Sequence, residues 1–198
     1  MKRLLKPLLF LLPYIALAQA PPTTVGEVSF PNSGSAAAQS DFLHGLAQLH
    51  NFEYEDAAKH FRRAEEIDPS FAMAHWGEAI TKNHSVWPDQ DREAAHTALE
   101  KLAPSAESRQ AKAPTPREKE YLAAVEILYG EGSKDDRDQK YEAAMATLHQ
   151  NFPDDVDATA FYALHPLAPP NMAATLPLTC VQQPSSKTSF LSTHIIPA

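Results

Sequence analysis

The nine histidines are the residues with the most chemical potential, because imidazole binds metal ions and exchanges protons near neutral pH. His44 and His50 are six residues apart, which on a helix places them about 120° from each other. That separation is poor geometry for a shared ion. His75 and His84 face similar directions only if one helix continues past Asn83. Because the sequence has no His-Glu-x-x-His motif and no His pair at i and i+4, no metal ligand is predicted.

Two acidic runs, residues 89–93 and 135–138, resemble the start of a calcium-binding loop. Both lack its glycine and its closing glutamate, and both open predicted helices, where acidic side chains favour the positive end of the helix dipole. The chain also lacks the Gly-x-Ser-x-Gly turn of serine hydrolases and the glycines of a phosphate loop. Cys180, the single cysteine, has no visible activating base. We therefore predict no catalytic residue and no cofactor.

The elements that would position any site are helices, beginning with a hairpin in residues 40–69. Phe42, Leu46 and Leu49 fall at i, i+4 and i+7 and form one face of a first helix. A short turn follows at residues 51–53. The apolar face of the second helix comprises Tyr54, Ala57, Phe61, Ala64 and Ile67. Two amphipathic helices joined by three residues are expected to pack antiparallel.

Six residues of this hairpin share one spacing, in which small side chains let the helices approach around one large ring. They are Gly45, Tyr54, Ala57, Phe61, Ala64 and Pro69. This spacing resembles the tetratricopeptide repeat, a helix–turn–helix unit of 34 residues. The departures from the family pattern are His44, where leucine is usual, and Gln48, where an aromatic residue is usual.

Two further units follow the first. Ala79 lies 34 residues after Gly45 on a helix that also carries Trp76, and its partner helix spans about residues 90–102. A polar linker is predicted at residues 103–114. A Thr115–Glu118 capping box then opens a third pair of helices. The resemblance implies an all-α, right-handed superhelix of about three antiparallel hairpins over residues 39–164.

The two ends of the chain differ from this body. Residues 1–18 have the basic start, apolar stretch and small closing residues of a secretory signal peptide, so we expect an exported, periplasmic or secreted protein without another membrane span. Residues 19–38 are predicted to be a flexible leader, with docking of Val25, Val28 and Phe30 as the alternative. Residues 165–198 are either a disordered tail or the product of a frame shift.

Charge limits the partners. The chain has 17 Lys and Arg against 25 Asp and Glu, a net charge of −8. This balance argues against nucleic acid and anionic lipid, because both bind basic surfaces.

The large rings that could line a groove are Trp76, Trp87, Tyr121 and Tyr162. Trp76 is predicted to be core, whereas Trp87, in a loop beside Pro88, is the better candidate for an exposed anchor. The resemblance implies that the first helix of each hairpin lines a concave, peptide-binding surface. Its predicted residues are His44, Gln48, Met73, Glu78, Lys82 and Asn83, with Trp87 beside them.

We therefore expect a noncatalytic scaffold that binds a protein or peptide through its concave face. The alternative is a His-dependent metal-binding or hydrolytic protein.

Overall fold

The computed structural model describes residues 25–87 and 89–164. Over these residues the chain is all-α apart from one ribbon of two short strands. The helices are α1 (Gln39–His50), α2 (Tyr54–Ile67), α3 (Ala72–Ile80), α4 (Arg92–Leu102), α5 (Ala106–Lys112), α6 (Pro116–Leu128), α7 (Lys134–Asn151) and α8 (Val156–Leu164). The antiparallel strands are β1 (Asn83–His84) and β2 (Asp89–Gln90). The predicted signal peptide and the predicted tail lie outside the described residues.

Helices α1 and α2, α3 and α4, and α6 and α7 contact each other as the three predicted pairs. The close packing of the first pair depends on one ring and two glycines. Phe61 is fully buried, and a Cβ atom on Gly45 would lie 3.2 Å from its ring. A Cβ atom on Gly77 would lie only 2.4 Å from the same ring. Phe61 of α2 therefore packs between α1 and α3, where glycine leaves room for it.

The predicted linker at residues 103–114 is wrong in one respect, because most of it forms α5. Ser105 opens this helix with a capping box, in which its side chain accepts a hydrogen bond from the backbone N–H of Ser108. Arg109 is buried and donates from Nη1 to the carbonyl of Ala103 at 2.8 Å and from Nη2 to Glu126 at 2.8 Å. These bonds hold a polar segment against α6, an outcome that helical periodicity alone does not reveal.

The predicted flexible leader is also corrected over the part that the structure describes. Phe30 is only 3% exposed, Ala38 is fully buried, and Val28 packs against the core. The leader is rich in small and polar residues, but burial of one aromatic ring stabilises an ordered path by roughly 1.5–3 kcal/mol. The alternative of a docked segment is therefore correct for Val28 and Phe30.

The core centres on Trp76, which is 1% exposed, as the sequence predicts. Its ring centroid lies 6.0 Å from that of Phe30, 5.1 Å from Tyr121 and 5.5 Å from Phe161 of α8. The core thus joins the leader, the middle hairpin, the third hairpin and the last helix. Of the helices in the described part of the chain, none is long and apolar enough to cross a membrane.

Candidate functional site

The first helices of the three pairs present a row of aromatic rings to one side. Phe42 on α1, Trp76 on α3 and Tyr121 on α6 each precede a small residue by three positions. Helix α3 contacts both α1 and α6, which brings the three rings together. We call the group of buried rings formed by Phe42, Trp76 and Tyr121 the first-helix face.

Residues 25–34, here called the covering segment, lie across the first-helix face without helix or strand structure. The Phe30 ring centroid is 5.4 Å from that of Phe42, 6.0 Å from Trp76 and 5.3 Å from Tyr121. Such distances are typical of favourable aromatic pairs. One ring of the segment thus touches all three rings of the face.

The backbone of the covering segment is held by side chains of the helices. Asn51, at the end of α1, donates from Nδ2 to the carbonyl of Val25 at 2.9 Å. Arg117, in the first turn of α6, donates from Nη1 to the carbonyl of Pro31 at 2.7 Å. These two bonds hold the segment before and after Phe30 along the chain, and they depend on its main chain, not on its side chains.

Glu118 holds the far end of the segment. Its Oε1 accepts from both the backbone N–H and the hydroxyl of Ser33, each at 2.7 Å. Its Oε2 completes the predicted capping box by accepting from the backbone N–H of Thr115 at 3.3 Å, and it also accepts from the Thr115 hydroxyl at 2.8 Å. Glu118 is fully buried, and these bonds occupy both of its oxygens. A residue that the sequence predicts as a helix cap therefore also holds a distant segment.

Arg117 places a positive charge over the ring of the covering segment. Its guanidinium carbon lies 4.0 Å from the centroid of the Phe30 ring and 5.0 Å from that of Tyr121. Its Nε donates to Asp155 Oδ2 at 2.5 Å, and the Tyr121 hydroxyl donates to the same oxygen at 3.0 Å. Burial alone would raise the pKa of Asp155, but these bonds and the Arg117 charge hold it below its usual value.

A cavity of about 510 Å³ opens beside the covering segment. Its lining includes Ser29 and Pro31 of the segment, Arg117, and the turn between α7 and α8 from Phe152 to Asp155. This space adjoins the main chain of the covering segment at Ser29 and Pro31.

The groove residues predicted from sequence lie elsewhere. Met73 is fully buried, and Gln48, Glu78 and Asn83 are 9%, 5% and 6% exposed, so these four do not form an open surface. The prediction placed these residues at outward positions that line a binding groove. Glu78 instead faces α2 and α4, where a lysine and an arginine neutralise it.

The remaining predicted positions have mixed surroundings. His44 and Lys82 are half-buried, and the His44 ring lies 4.3 Å from that of His60. Trp87 is 55% exposed, in agreement with the expected exposure, and its ring lies 6.0 Å from that of Phe52. Contact of Trp87 with a partner stays a prediction.

Of the six residues that carry the repeat spacing, four share one buried environment. Gly45, Ala57, Phe61 and Ala64 are buried together, as the hairpin requires. Tyr54 is half-buried and stacks on His84, with centroids 4.0 Å apart. Pro69, which follows α2, is exposed.

The aromatic row has a signal in the sequence that the prediction did not use. Phe42 and Trp76 are 34 residues apart, the same interval as Gly45 and Ala79. Tyr121 likewise precedes Ala124 by three positions. Aligning rings with the small residues, rather than following polarity, would have indicated this face.

A second group, the charge cluster, lies between α2, α3 and α4 and consists of Arg62, Glu65, His75, Glu78 and Lys101. Lys101 Nζ lies 2.6 Å from Glu78 Oε2 and 3.4 Å from Glu65 Oε2. Burial and the neighbouring Glu78 charge raise the pKa of Glu65 to about 8. The pKa of Glu78 is lowered, because bonds from Lys101 and Arg62 outweigh its burial. The two carboxyl groups therefore share about one proton at neutral pH.

The charge cluster does not form a metal site. His75 is 3% exposed, its Nε2 lies 3.2 Å from the Pro69 carbonyl, and burial lowers its pKa. Within residues 25–87 and 89–164 there is no group of three or more His, Cys, Asp or Glu side chains that could hold a metal ion.

We predict that Glu65→Gln will change the pH dependence of stability. The pKa of Glu65 is about 8 in the folded chain and near 4.5 when unfolded. Between these values the folded state binds the extra proton, so Glu65 makes stability fall as pH rises, by at most about 1.4 kcal/mol per unit. Urea unfolding at pH 5, 6, 7 and 8 should show a flatter profile for Glu65→Gln than for the natural chain.

The matched control is Glu66→Gln, since Glu66 is the exposed neighbour and undergoes the same exchange of a carboxyl group for an amide. Its profile should follow that of the natural chain. If the two variants had identical slopes, the assignment of a proton to the charge cluster would be wrong.

Comparison with protein-family models, with curated proteins and with solved structures found no match to this chain.

Proposed function

We propose that this chain is a noncatalytic scaffold of an exported compartment, which binds a protein or peptide segment along the first-helix face. The observation that carries the proposal is the covering segment itself. The face holds a non-helical stretch of chain through one aromatic ring and through bonds to its backbone at Val25, Pro31 and Ser33. Bonds to main-chain groups can be made to many peptides, whereas a ring site selects among them.

We also propose that the three helix pairs are tetratricopeptide-like units of one right-handed superhelix, with the first-helix face as its concave side. The shared burial of Gly45, Ala57, Phe61 and Ala64 supports this, as does the repeated interval between rings and small residues on α1, α3 and α6. The net charge of −8 supports a neutral or basic partner over nucleic acid or anionic lipid. The composition of residues 1–18 supports export.

The proposal is tested by panning a random displayed peptide library on the purified chain and on its Phe30→Ala variant. Enriched peptides are resynthesised with a photo-crosslinking residue, and the attachment sites are read by mass spectrometry. We expect attachment to α1, α3 and α6, and none with scrambled peptides. Absence of enrichment on both proteins would contradict the proposal. Attachment confined to the loop around Trp87 would move the binding surface away from the first-helix face.

A further inference from the structure

The covering segment makes residue-specific contacts that define a recognition pattern. Phe30 is enclosed by the three rings of the first-helix face and by the Arg117 guanidinium, and it is the one residue of the segment that is buried. An aliphatic side chain would fill part of this space but would lose the aromatic and cation–π contacts. The site therefore favours an aromatic side chain, and phenylalanine in particular because it has no polar atom to desolvate.

The next residues set the direction of the chain. Proline at position 31 restricts φ and has no N–H group to satisfy, while its carbonyl accepts from Arg117. Asn32 then forms a local turn, donating from Nδ2 to the Phe30 carbonyl at 2.7 Å and accepting from the Gly34 N–H at 3.0 Å. This turn positions the backbone N–H of Ser33 to donate to Glu118.

Positions 33 and 34 are restricted by the helices. Ser33 gives Glu118 Oε1 two donors, one from the backbone and one from the hydroxyl. Gly34 lies against Phe71, the N-cap residue of α3. A Cβ atom on Gly34 would lie 2.5 Å from the Phe71 ring. A larger residue would have to displace a buried phenylalanine, so glycine is required there. The pattern that fits the face is Phe-Pro-Asn-Ser-Gly.

We propose that residues 30–34 are an intramolecular ligand, and that the partner of the first-helix face is a peptide that presents the same Phe-Pro-Asn-Ser-Gly pattern. This inference rests on the proposed function and names the ligand class of that site. The chain's own copy and the partner's copy compete for one set of contacts.

The covering segment is suited to release because its attachment is concentrated. Gly26, Glu27, Ser29 and Pro31 are exposed. Lifting the segment withdraws one ring, Phe30, from the three rings of the first-helix face and breaks the hydrogen bonds at Val25, Pro31 and Ser33. The helices of each pair also contact each other directly. Segments with few buried contacts open at lower free energy than the core. The link through residues 35–38 to α1 keeps the local concentration of the segment at roughly millimolar or above. The apparent affinity for an external peptide is therefore the affinity of the open form multiplied by the fraction of molecules that are open.

The test uses a fluorescent decapeptide with the order of residues 27–36, Glu-Val-Ser-Phe-Pro-Asn-Ser-Gly-Ser-Ala, and a control decapeptide with alanine in place of phenylalanine. Both are titrated into the full chain and its Phe30→Ala variant, with folding checked by circular dichroism. We expect the phenylalanine peptide to bind the variant at least about tenfold more tightly than the natural chain. The alanine peptide should bind neither. A folded variant with no gain in affinity, or with equal binding of both peptides, would overturn the proposal.

A second measurement tests release of the covering segment even if Phe30→Ala does not fold. In hydrogen exchange of the natural chain, the backbone amides of Ser33 and Ser35 should exchange faster than the amides in the core of α3. Saturating decapeptide should increase the exchange rates of Ser33 and Ser35 further. Exchange of these amides only at the global unfolding rate would make the segment a permanent part of the core and overturn the proposal.

If library peptides bind the face but do not share the pattern, this inference fails while the proposed function stands. If no peptide binds, the proposed function fails as well.

Discussion

Phe61→Ala is expected to lower the free energy of unfolding by about 3–5 kcal/mol, the range for truncating a fully buried aromatic ring. Phe61 has no exposed surface and contacts Phe42 with ring centroids 5.7 Å apart. Gly45 and Gly77 lie against its ring, so the backbones around the site are already in close contact and cannot fill the space by simple side-chain movement. Urea unfolding followed by circular dichroism measures the loss.

The control is Phe52→Ala, because Phe52 is 38% exposed and lies in the turn between α1 and α2. It should cost about 1 kcal/mol or less, in keeping with substitutions away from the core. A further comparison is Phe30→Ala. If the covering segment opens alone, Phe30→Ala can lower the free energy of global unfolding by no more than the free energy that docks the segment. We therefore expect a smaller loss for Phe30→Ala than for Phe61→Ala. Equal losses for Phe61 and Phe52 would contradict the packing described for α1, α2 and α3.

Arg117→Met is expected to lower the free energy of unfolding by about 3 kcal/mol at pH 7, because it leaves a buried carboxylate without its cation. The Asp155 side chain is 4% exposed, and Arg117 is its charged partner. The change also removes the bond to the Pro31 carbonyl and the cation over Phe30. The covering segment should therefore loosen, and hydrogen exchange at Ser33 should become faster than in the natural chain.

The pH profile gives a second check on this pair. Because the pKa of Asp155 is lowered in the fold, its contribution to stability is present above the unfolded value, near 3.9, and is lost as pH falls through the folded value. Arg117→Met should remove this loss below pH 4. The matched control is Arg63→Met, at an exposed position of α2, which should change stability by about 0.5 kcal/mol or less.

A double variant separates the charge from the packing. Adding Asp155→Asn to Arg117→Met replaces the unpaired carboxylate with a neutral amide and should recover part of the lost stability. If the double variant were as unstable as the sum of the two single variants, Arg117 and Asp155 would not be coupled, and the role given to this ion pair would be wrong.

Local sequence determined most of the helices. Phe42, Leu46 and Leu49 at helical spacing, the three-residue connection after α1, and the small residues around Phe61 are sufficient to predict a hairpin, because neighbours along a helix carry this information. The capping box at Thr115 and Glu118 is equally local and is confirmed. Helix α5 was missed and predicted as part of a linker, because its seven residues are too few and too polar to give a periodic signal.

What covers the aromatic row was decided only by tertiary structure. The residues around Phe30 have no periodic pattern, so the sequence offered docking of Phe30 only as an alternative. Its contacts reach α6, which is distant in sequence. The same reason explains the misplaced groove. Glu78 was predicted to line the groove, but Lys101 and Arg62, on two other helices, make its burial possible. Periodicity shows which side of a helix is apolar. Which element then packs there depends on contacts between residues as far apart as Ser33 and Glu118, and only the folded chain brings these together.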